Sequence, residues 1–385
     1  MNSILIVAGE NSGDKYGANL ISQFKKLHPS FSFFGIGGKH MEAEGVELIA
    51  RLEEISIMGV TGVISRFPRL KALFDRMKRE ARRIKPSAAV LIDSPGFNLR
   101  LVKKLKNLSI PVLYYISPTV WAWRRGRLKT IKKNVEKMLL IFPFEVQIYE
   151  NQGIPHTYVG HPLKERVRVS LTKKEFFQKY KLDPQKKLIS LLPGSRKSEL
   201  KHHLPVLVET VQRIKCIIPS QFTLLLAESV EEKMLHDSIP KDFSDFTILS
   251  EDKYEAMASS DLVLSTCGTA NLEAALLETP FISFYRASCL NYSIAKCYAR
   301  LTRFKLKNFS IVNILAGKRI IPELIQKEFT PANILQETKK ILESDEIRTE
   351  MIACFREINN SLGEEKASQN AARELDRLIS SPSHL

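Results

Sequence analysis

Two carboxylates stand where this chain could do acid–base chemistry. Asp93 follows the apolar run Ala88-Ala89-Val90-Leu91-Ile92, and Glu10 follows Ile4-Leu5-Ile6-Val7-Ala8. A carboxylate at the end of a buried strand is partly desolvated, which raises its pKa and makes it a better proton acceptor. Asp is also a common N-cap, and the pattern starts a helix near Phe97, so residue type alone does not separate a catalytic Asp93 from a capping one. Glu10 belongs to the loop Gly9-Glu10-Asn11-Ser12-Gly13-Asp14, whose glycines allow unusual backbone torsions. The N–H groups around Ser12 and Gly13 could meet a phosphate at the start of the following helix. Glu10 would repel that phosphate, which leaves it neutral polar groups or the orientation of Asp93.

A second group of residues suits a nucleotide. Pro193-Gly194-Ser195-Arg196 follows the apolar run Leu188 to Leu192 and opens a helix, so the N–H groups and the Arg196 guanidinium can face a diphosphate. Gly268-Thr269-Ala270-Asn271-Leu272-Glu273 repeats this design after Leu262 to Ser265. Glu273 is a partner for ribose hydroxyls or, more blandly, for the helix dipole. Both tryptophans, Trp121 and Trp123, come just after the strand-like run Val112 to Ile116. They serve either as a ligand-facing pair or as core and rim packing.

These residues need elements to position them. At 385 residues the chain is too long for one ordinary core, which predicts two domains. A hydrophobic content of 44% and a charged content of 26% are those of a soluble globular protein. Short apolar strands (Ile4 to Val7, Phe33 to Ile36, Ala89 to Ile92, Val112 to Ile116, Met138 to Phe142) alternate with helix-length segments. The pattern repeats in Leu188 to Leu192, Phe222 to Leu226, Phe246 to Leu249, Leu262 to Ser265 and Phe281 to Phe284. Such alternation predicts α/β architecture: right-handed βαβ units forming two doubly wound, Rossmann-like domains. The join is expected near Gly160-His161-Pro162, after a short strand Thr157-Tyr158-Val159, and beyond Pro331 the chain reads as helical to its end. The expected division is 1–162, 163–344 and a tail of helices, 345–385.

Five widely spaced cysteines without a Cys-x-x-Cys pair argue against a disulfide framework and a zinc site, and no Asp-x-Asp triplet is present. No metal and no cofactor are expected. His161, His202 and His203 form no recognisable ligand set and read as solvent or loop residues. No apolar run is long enough to span a bilayer, and the first residues are too short for a signal-peptide core. A net charge of +16 calls for an anionic partner without choosing among nucleic acid, nucleotide, sugar phosphate and membrane.

The loops after Ala8, Ile92 and Ile116 together resemble those of the lipid-A-disaccharide synthase family. The resemblance continues in Leu192-Pro193-Gly194-Ser195-Arg196, in Gly268-Thr269-Ala270 with Glu273, and in Asn313-Ile314-Leu315-Ala316-Gly317. It spans nearly the whole chain. Gly96 departs from the carboxylate many members carry there, and Asn313 lacks the proline often found before it. The resemblance implies a GT-B glycosyltransferase, metal-independent and inverting, whose C-terminal helices cross back onto the first domain or swap into a partner to give a homodimer. It implies transfer of 2,3-diacylglucosamine from UDP-2,3-diacylglucosamine to the 6-hydroxyl of 2,3-diacylglucosamine 1-phosphate. On that basis Asp93 is the catalytic base, assisted by Glu10. Ser12, Gly13, Trp121 and Trp123 bind the acceptor. Gly194, Ser195, Arg196, Gly268, Thr269, Asn271, Glu273 and Asn313 bind the nucleotide. The implied location is the cytoplasm, at the cytoplasmic face of the inner membrane of a Gram-negative-type bacterium.

The acyl chains of such substrates need an apolar route. Phe67, Leu70, Phe74, Met77, Ala81 and Ile84 repeat at helical spacing, and nine basic residues against two acidic lie between Arg66 and Lys85. This suits an anionic membrane surface met by Met58, Val60, Val63, Ile64, Phe67, Arg66 and Arg69, with the preceding Met58, Val60, Val63 and Ile64 inserting. It equally suits an amphipathic helix packed on the first sheet. The basic run from Arg124 to Lys133 beside the tryptophans is compatible with single-stranded nucleic acid. No RRM, KH or zinc-finger signature accompanies it, so no nucleic-acid partner is expected. The competing functions are another UDP-sugar GT-B enzyme, such as a 2-epimerase or a cell-wall glycosyltransferase, and a noncatalytic protein that binds membrane or nucleic acid.

Overall fold

The computed structural model describes residues 2–56, 63–121, 126–228, 230, 234–235, 239, 245–287 and 308–380, and side chains at 56 and 63–67 are outside the description. Met58, Val60 and Trp123 therefore lie outside the described residues, as do the side chains of Val63, Ile64, Arg66 and Phe67. The chain divides into two compact units, Met1–Glu165 with Leu362–Leu385, and Arg166–Ser361.

The first unit holds a seven-stranded parallel sheet. Its strands are β1 (Ser3–Ala8), β2 (Ser32–Gly37), β3 (Val46–Arg51), β4 (Ala88–Ile92), β5 (Val112–Tyr115), β6 (Lys137–Leu140) and β7 (His156–Tyr158), in the order β3-β2-β1-β4-β5-β6-β7. β1 and β4 are buried along their whole length, as strands covered by helices on both faces must be. The helix Val63–Ile84 buries Leu73, Phe74, Met77 and Ala81, with Phe74 stacked on Phe97 at 4.4 Å between ring centroids. Arg69, Arg76, Arg79, Arg82 and Arg83 are exposed. The packed-helix alternative thus holds for the body of this helix: its apolar stripe is used by the sheet, and its basic face meets solvent.

The second unit holds a six-stranded parallel sheet. Its strands are β8 (Lys187–Leu192), β9 (Ser220–Leu225), β10 (Thr247–Leu249), β11 (Leu262–Thr266), β12 (Phe281–Tyr285) and β13 (Glu323–Ile325), in the order β10-β9-β8-β11-β12-β13. The strands β3 and β13 were not among those expected. β3 is a half-exposed edge strand and β13 is three residues long, so neither carries the apolar run that marks a central strand.

The chain returns to the first unit through a junction of two passages. Gly160 (φ +89°) and Gly363 (φ +79°) lie back to back, each in a conformation that favours glycine. His161 N–H donates to the Leu362 carbonyl at 3.1 Å, and Lys164 Nζ donates to the Gly363 carbonyl at 2.6 Å. Glu165 accepts from Ser368 N–H (2.7 Å) and Oγ (2.6 Å) at the start of the helix Ala367–Ser380. That helix packs on β4 and β5 and on the helix Asn11–Leu27, and Lys137 Nζ pairs with its buried Glu374 at 2.5 Å. The first unit therefore runs three residues past the expected boundary at 162, because Glu165 is tied to the returning helix. The returning segment begins at 362 rather than 345. The helix Asp345–Ser361 stays with the second unit, where Phe355 stacks on Phe281 at 5.5 Å.

Leu375 is completely buried in the returning helix. Leu375→Ala should cost the first unit about 2–5 kcal/mol by removing apolar contacts and leaving a cavity. Both tryptophans belong to that unit. The loss should therefore appear as a lower urea midpoint in tryptophan fluorescence, and an unchanged midpoint would show that the tail adds nothing to the fold.

Candidate active site

In each sheet the strand order reverses once, and there two neighbouring loops leave in opposite directions and open a crevice. In the first sheet the reversal lies between β1 and β4, and in the second between β8 and β11. Glu10 follows β1 and Asp93 follows β4. The loop 193–196 follows β8 and Gly268-Thr269 follows β11.

Asp93 and Ser94 are both left-handed, at φ +44° and +43°. Two consecutive non-glycine residues in that region cost about 1–3 kcal/mol each. The conformation is held from outside: the buried Tyr114 hydroxyl donates to the Asp93 carbonyl at 2.6 Å, and Asn98 Nδ2 donates to the Ile92 and Asp93 carbonyls at 3.0 and 2.8 Å. The following helix, Pro95–Lys106, has Ser94 at its N-cap and no side-chain capping bond. Asp93 is not its cap. Burial first, and then the nearby charge of Glu10, raise the Asp93 carboxyl to about 7 against the lowering influence of the Ser94 N–H and Arg127. Arg127, at the start of the helix Arg127–Asn134, thus acts electrostatically on Asp93, a role its place in a basic run did not disclose.

Gly9 and Gly13 serve differently from expectation. Neither has a positive φ. A Cβ on Gly9 would overlap the Ser94 side chain, so the absence of a side chain lets the loops after β1 and β4 approach. A Cβ on Gly13 would meet Ala8 and Ile92 only at an ordinary contact distance of 3.5 Å, so the packing of the helix Asn11–Leu27 does not itself require glycine there, and Ser12 beside it is half-buried. Asp14, in the first turn of that helix, is buried and accepts from the N–H groups of Gly38 (2.7 Å), His40 (3.0 Å) and Met41 (3.2 Å). It ties the loop after β2 to the loop after β1.

Trp121 is half-buried, edge-on to Phe144 at 5.4 Å, and its indole hydrogen-bonds to Glu145. Glu145 is buried, and burial pushes its carboxyl up to about 8 against hydrogen bonds from Ser117, Phe142, Ile141 and Trp121. The sequence reading missed Glu145, which directly follows Phe142-Pro143-Phe144. Part of Trp121 is thus structural, with its polar edge spent inside the protein.

In the second unit, Gly194 has φ +126°, and Ser195 and Arg196 are exposed at the start of the helix Lys197–Lys215. Their N–H groups donate to Glu199 Oε2 at 2.9 and 3.3 Å. Gly268 and Thr269 are exposed at the start of the helix Thr269–Leu276, and Glu273 on that helix is buried, paired with Lys253 and accepting from the Tyr254 hydroxyl at 3.1 Å.

Two expected nucleotide contacts are corrected. Asn271 is buried, with Nδ2 donating to the Thr266 carbonyl (3.1 Å) and Oδ1 accepting from Ser283 Oγ (2.8 Å), which joins β11 to β12. Asn313 is buried, with Nδ2 donating to the Ile321 carbonyl (3.1 Å) and Glu323 (2.8 Å), and Oδ1 accepting from Ile320 and Ile321 N–H (2.8 and 3.0 Å). An amide has two donor hydrogens and two acceptor lone pairs, and Asn313 uses all of them to shape the turn before β13. Two histidines also leave the solvent class. His161 is buried, which lowers its pKa to about 3, and His203 is fully buried among Phe284, Tyr285 and Phe329.

Residues 4–375 match the family model described as lipid-A-disaccharide synthetase. A lipid-A-disaccharide synthase of Myxococcus xanthus is 37% identical over 377 residues, covering 98% of this chain and 97% of the relative. One from Trichlorobacter lovleyi is 38% identical, covering 98% and 96%. The chain belongs to the lipid-A-disaccharide synthase family. Among solved structures, the UDP-GlcNAc 2-epimerase of Neisseria meningitidis (TM-score 0.63, 13% identity, 97% of this chain and 100% of that one) shares its fold. So does the calicheamicin glycosyltransferase CalG4 (TM-score 0.60, 13% identity, 100% and 99%). The architecture is GT-B, and the lipid-A-disaccharide synthase family places the chain among the hexosyltransferases.

A raised carboxyl pKa is also a stability statement. The folded value of about 7 lies above the ordinary value of 3.8, so between those values the unfolded chain loses a proton that the folded one keeps. Stability therefore falls as pH rises from about 4 to 7, by at most about 4 kcal/mol, and stays low above 7. Asn tolerates left-handed φ. Asp93→Asn should melt above the unmodified enzyme at pH 8 and with it near pH 4, and equal melting at pH 8 would mean that Asp93 is not desolvated.

Proposed function

We propose that the protein transfers 2,3-diacylglucosamine from its UDP derivative to 2,3-diacylglucosamine 1-phosphate, giving the β-1,6-linked disaccharide 1-phosphate and UDP. The observation that carries this reading is the position of Asp93: a strained carboxyl raised to about 7 at the strand-order reversal of the first sheet. A base of that pKa is half ionised near neutrality, where proton acceptance is most effective.

In the reaction, Asp93 accepts the proton of the acceptor's 6-hydroxyl as that oxygen attacks the anomeric carbon of the donor. The bond to the UDP oxygen breaks on the opposite face, so the α-linked donor gives a β product. Negative charge then grows on the diphosphate. The Ser195 and Arg196 N–H groups, the Arg196 guanidinium and the start of the helix Lys197–Lys215 supply the positive field that stabilises it. Thr269 and the start of the helix Thr269–Leu276 supply more, while Glu273 faces the ribose hydroxyls. With fixed positive groups of this kind and no Asp-x-Asp triplet in the sequence, the reaction proceeds without a metal. Ser12, Gly13 and the apolar face of Trp121 contact the acceptor, and Glu10 keeps Asp93 basic.

The acylated substrates are met at an anionic membrane surface, through the exposed arginines of the helix Val63–Ile84 and the segment leading into it. Among the described residues no helix is long and apolar enough to cross a membrane.

The decisive assay mixes purified protein with both acylated substrates in detergent and EDTA. UDP should appear together with a disaccharide phosphate, and failure of both to appear even with Mg²⁺ restored would sink the reading. Asp93→Asn should lower kcat by about 10²–10⁴-fold while UDP still binds. Below pH 7 the unmodified kcat/KM should fall about tenfold per pH unit as the base takes up its proton. A profile flat from pH 5 to 8 would remove Asp93 from the chemistry.

A further inference from the structure

Glu199 occupies the backbone N–H groups that the proposed function assigns to a diphosphate. Its Oε2 accepts from the N–H groups of Ser195 (2.9 Å) and Arg196 (3.3 Å), and its Oε1 lies 3.7 Å from the Arg196 guanidinium. The donors assigned to the leaving diphosphate are thus held by the protein's own carboxylate. The Glu199 side chain is only 11% exposed and is pressed against Gly194, where a Cβ would overlap it. A carboxylate and a diphosphate cannot share these donors, because like charges at such a distance repel strongly.

The same helix face holds the other end of this loop. His203 is one turn beyond Glu199, so the two side chains project side by side. Its Nδ1 lies 2.6 Å from the Pro193 carbonyl, and its Nε2 accepts from Arg286 N–H at 3.0 Å. Those two partners require the neutral ring with its hydrogen on Nδ1. The ring is locked by Phe284, Tyr285 and Phe329, with centroids 5.2–5.7 Å away. Pro193 is therefore tied to the end of β12 by a group independent of Glu199. When the carboxylate leaves, the loop keeps its shape.

We propose that Glu199 is a built-in competitor of the nucleotide diphosphate. It fills the Ser195–Arg196 donor pair when the site is empty, is displaced when UDP-sugar binds, and by returning speeds the departure of UDP. This rests on the assignment of that loop to UDP and adds a positioning residue to it. An ordinary capping role for Glu199 has the opposite consequence: its loss would loosen the loop and weaken nucleotide binding.

The test is calorimetric binding of UDP, inorganic pyrophosphate and uridine to the full-length protein in detergent, for the unmodified chain, Glu199→Gln, Glu199→Asp and His203→Gln. Glu199→Gln should tighten UDP and pyrophosphate about tenfold, leave uridine unchanged, and slow UDP release in stopped flow by a similar factor. Glu199→Asp, which keeps the charge on a shorter arm, should fall between, and it serves in place of Glu199→Gln should the latter not fold. His203→Gln should weaken UDP, since the loop loses its fixed end. If UDP binds the unmodified chain but binds Glu199→Gln no more tightly at an unchanged melting temperature, the competitor role is overturned and the nucleotide site stands. If UDP does not bind the unmodified chain at all, the nucleotide assignment falls, and the competitor with it.

Discussion

A parallel strand cannot return to its neighbour by a tight turn, and everything in this chain follows from that constraint. Each connection must cross a face of the sheet, so helices cover both faces and the strands become wholly apolar. Polar chemistry is then expelled to the strand ends. Only where the order reverses, beside β1 and β4 and again beside β8 and β11, do adjacent loops part enough to leave room for a ligand. Glu10 and Asp93 of the first unit and both small-residue loops of the second occupy those two places. Their positions are a consequence of topology before they are a consequence of chemistry.

The first of these places is strained. Holding Asp93 and Ser94 left-handed costs energy that the surrounding bonds offset, and each supporting group comes from a different element: Tyr114 from β5, Asn98 from the next helix, and the missing side chain of Gly9 from the loop after β1. Ser94, rather than the Asp93 carboxyl, stands at the N-cap of the following helix. Desolvated beside the like charge of Glu10, the Asp93 carboxyl stays basic.

Much of this was legible in the sequence. Nearly all the expected strands are apolar runs between helix-length segments, and a buried parallel sheet writes itself in that form. β3 and β13 escaped because an edge strand needs no such run. Asp93 and Glu10 drew attention as candidates because each is a polar residue directly after a buried strand, although residue type left a capping role equally open for Asp93. Asn271 and Asn313 were misassigned for the same reason: an amide near a strand end satisfies backbone groups as readily as ligands, and only the partners tell which. Glu145, His161 and His203 were passed over because burial of a titratable group depends on contacts from distant segments, which local pattern does not encode.

The helix Lys197–Lys215 shows how a fold can be rigid and responsive at one site. Its first turns carry one neutral, buried and doubly bonded side chain, His203, and one charged side chain near the surface, Glu199. The neutral group has no competitor, since no ligand offers the Pro193 carbonyl a better donor in a dry pocket. The charged group has one in any anion of greater charge. A loop fixed at its carbonyl end and contested at its N–H end can exchange an internal anion for an external one without refolding. An enzyme that must release a tightly held diphosphate in every cycle has use for such an arrangement, because product departure often limits turnover once chemistry is fast.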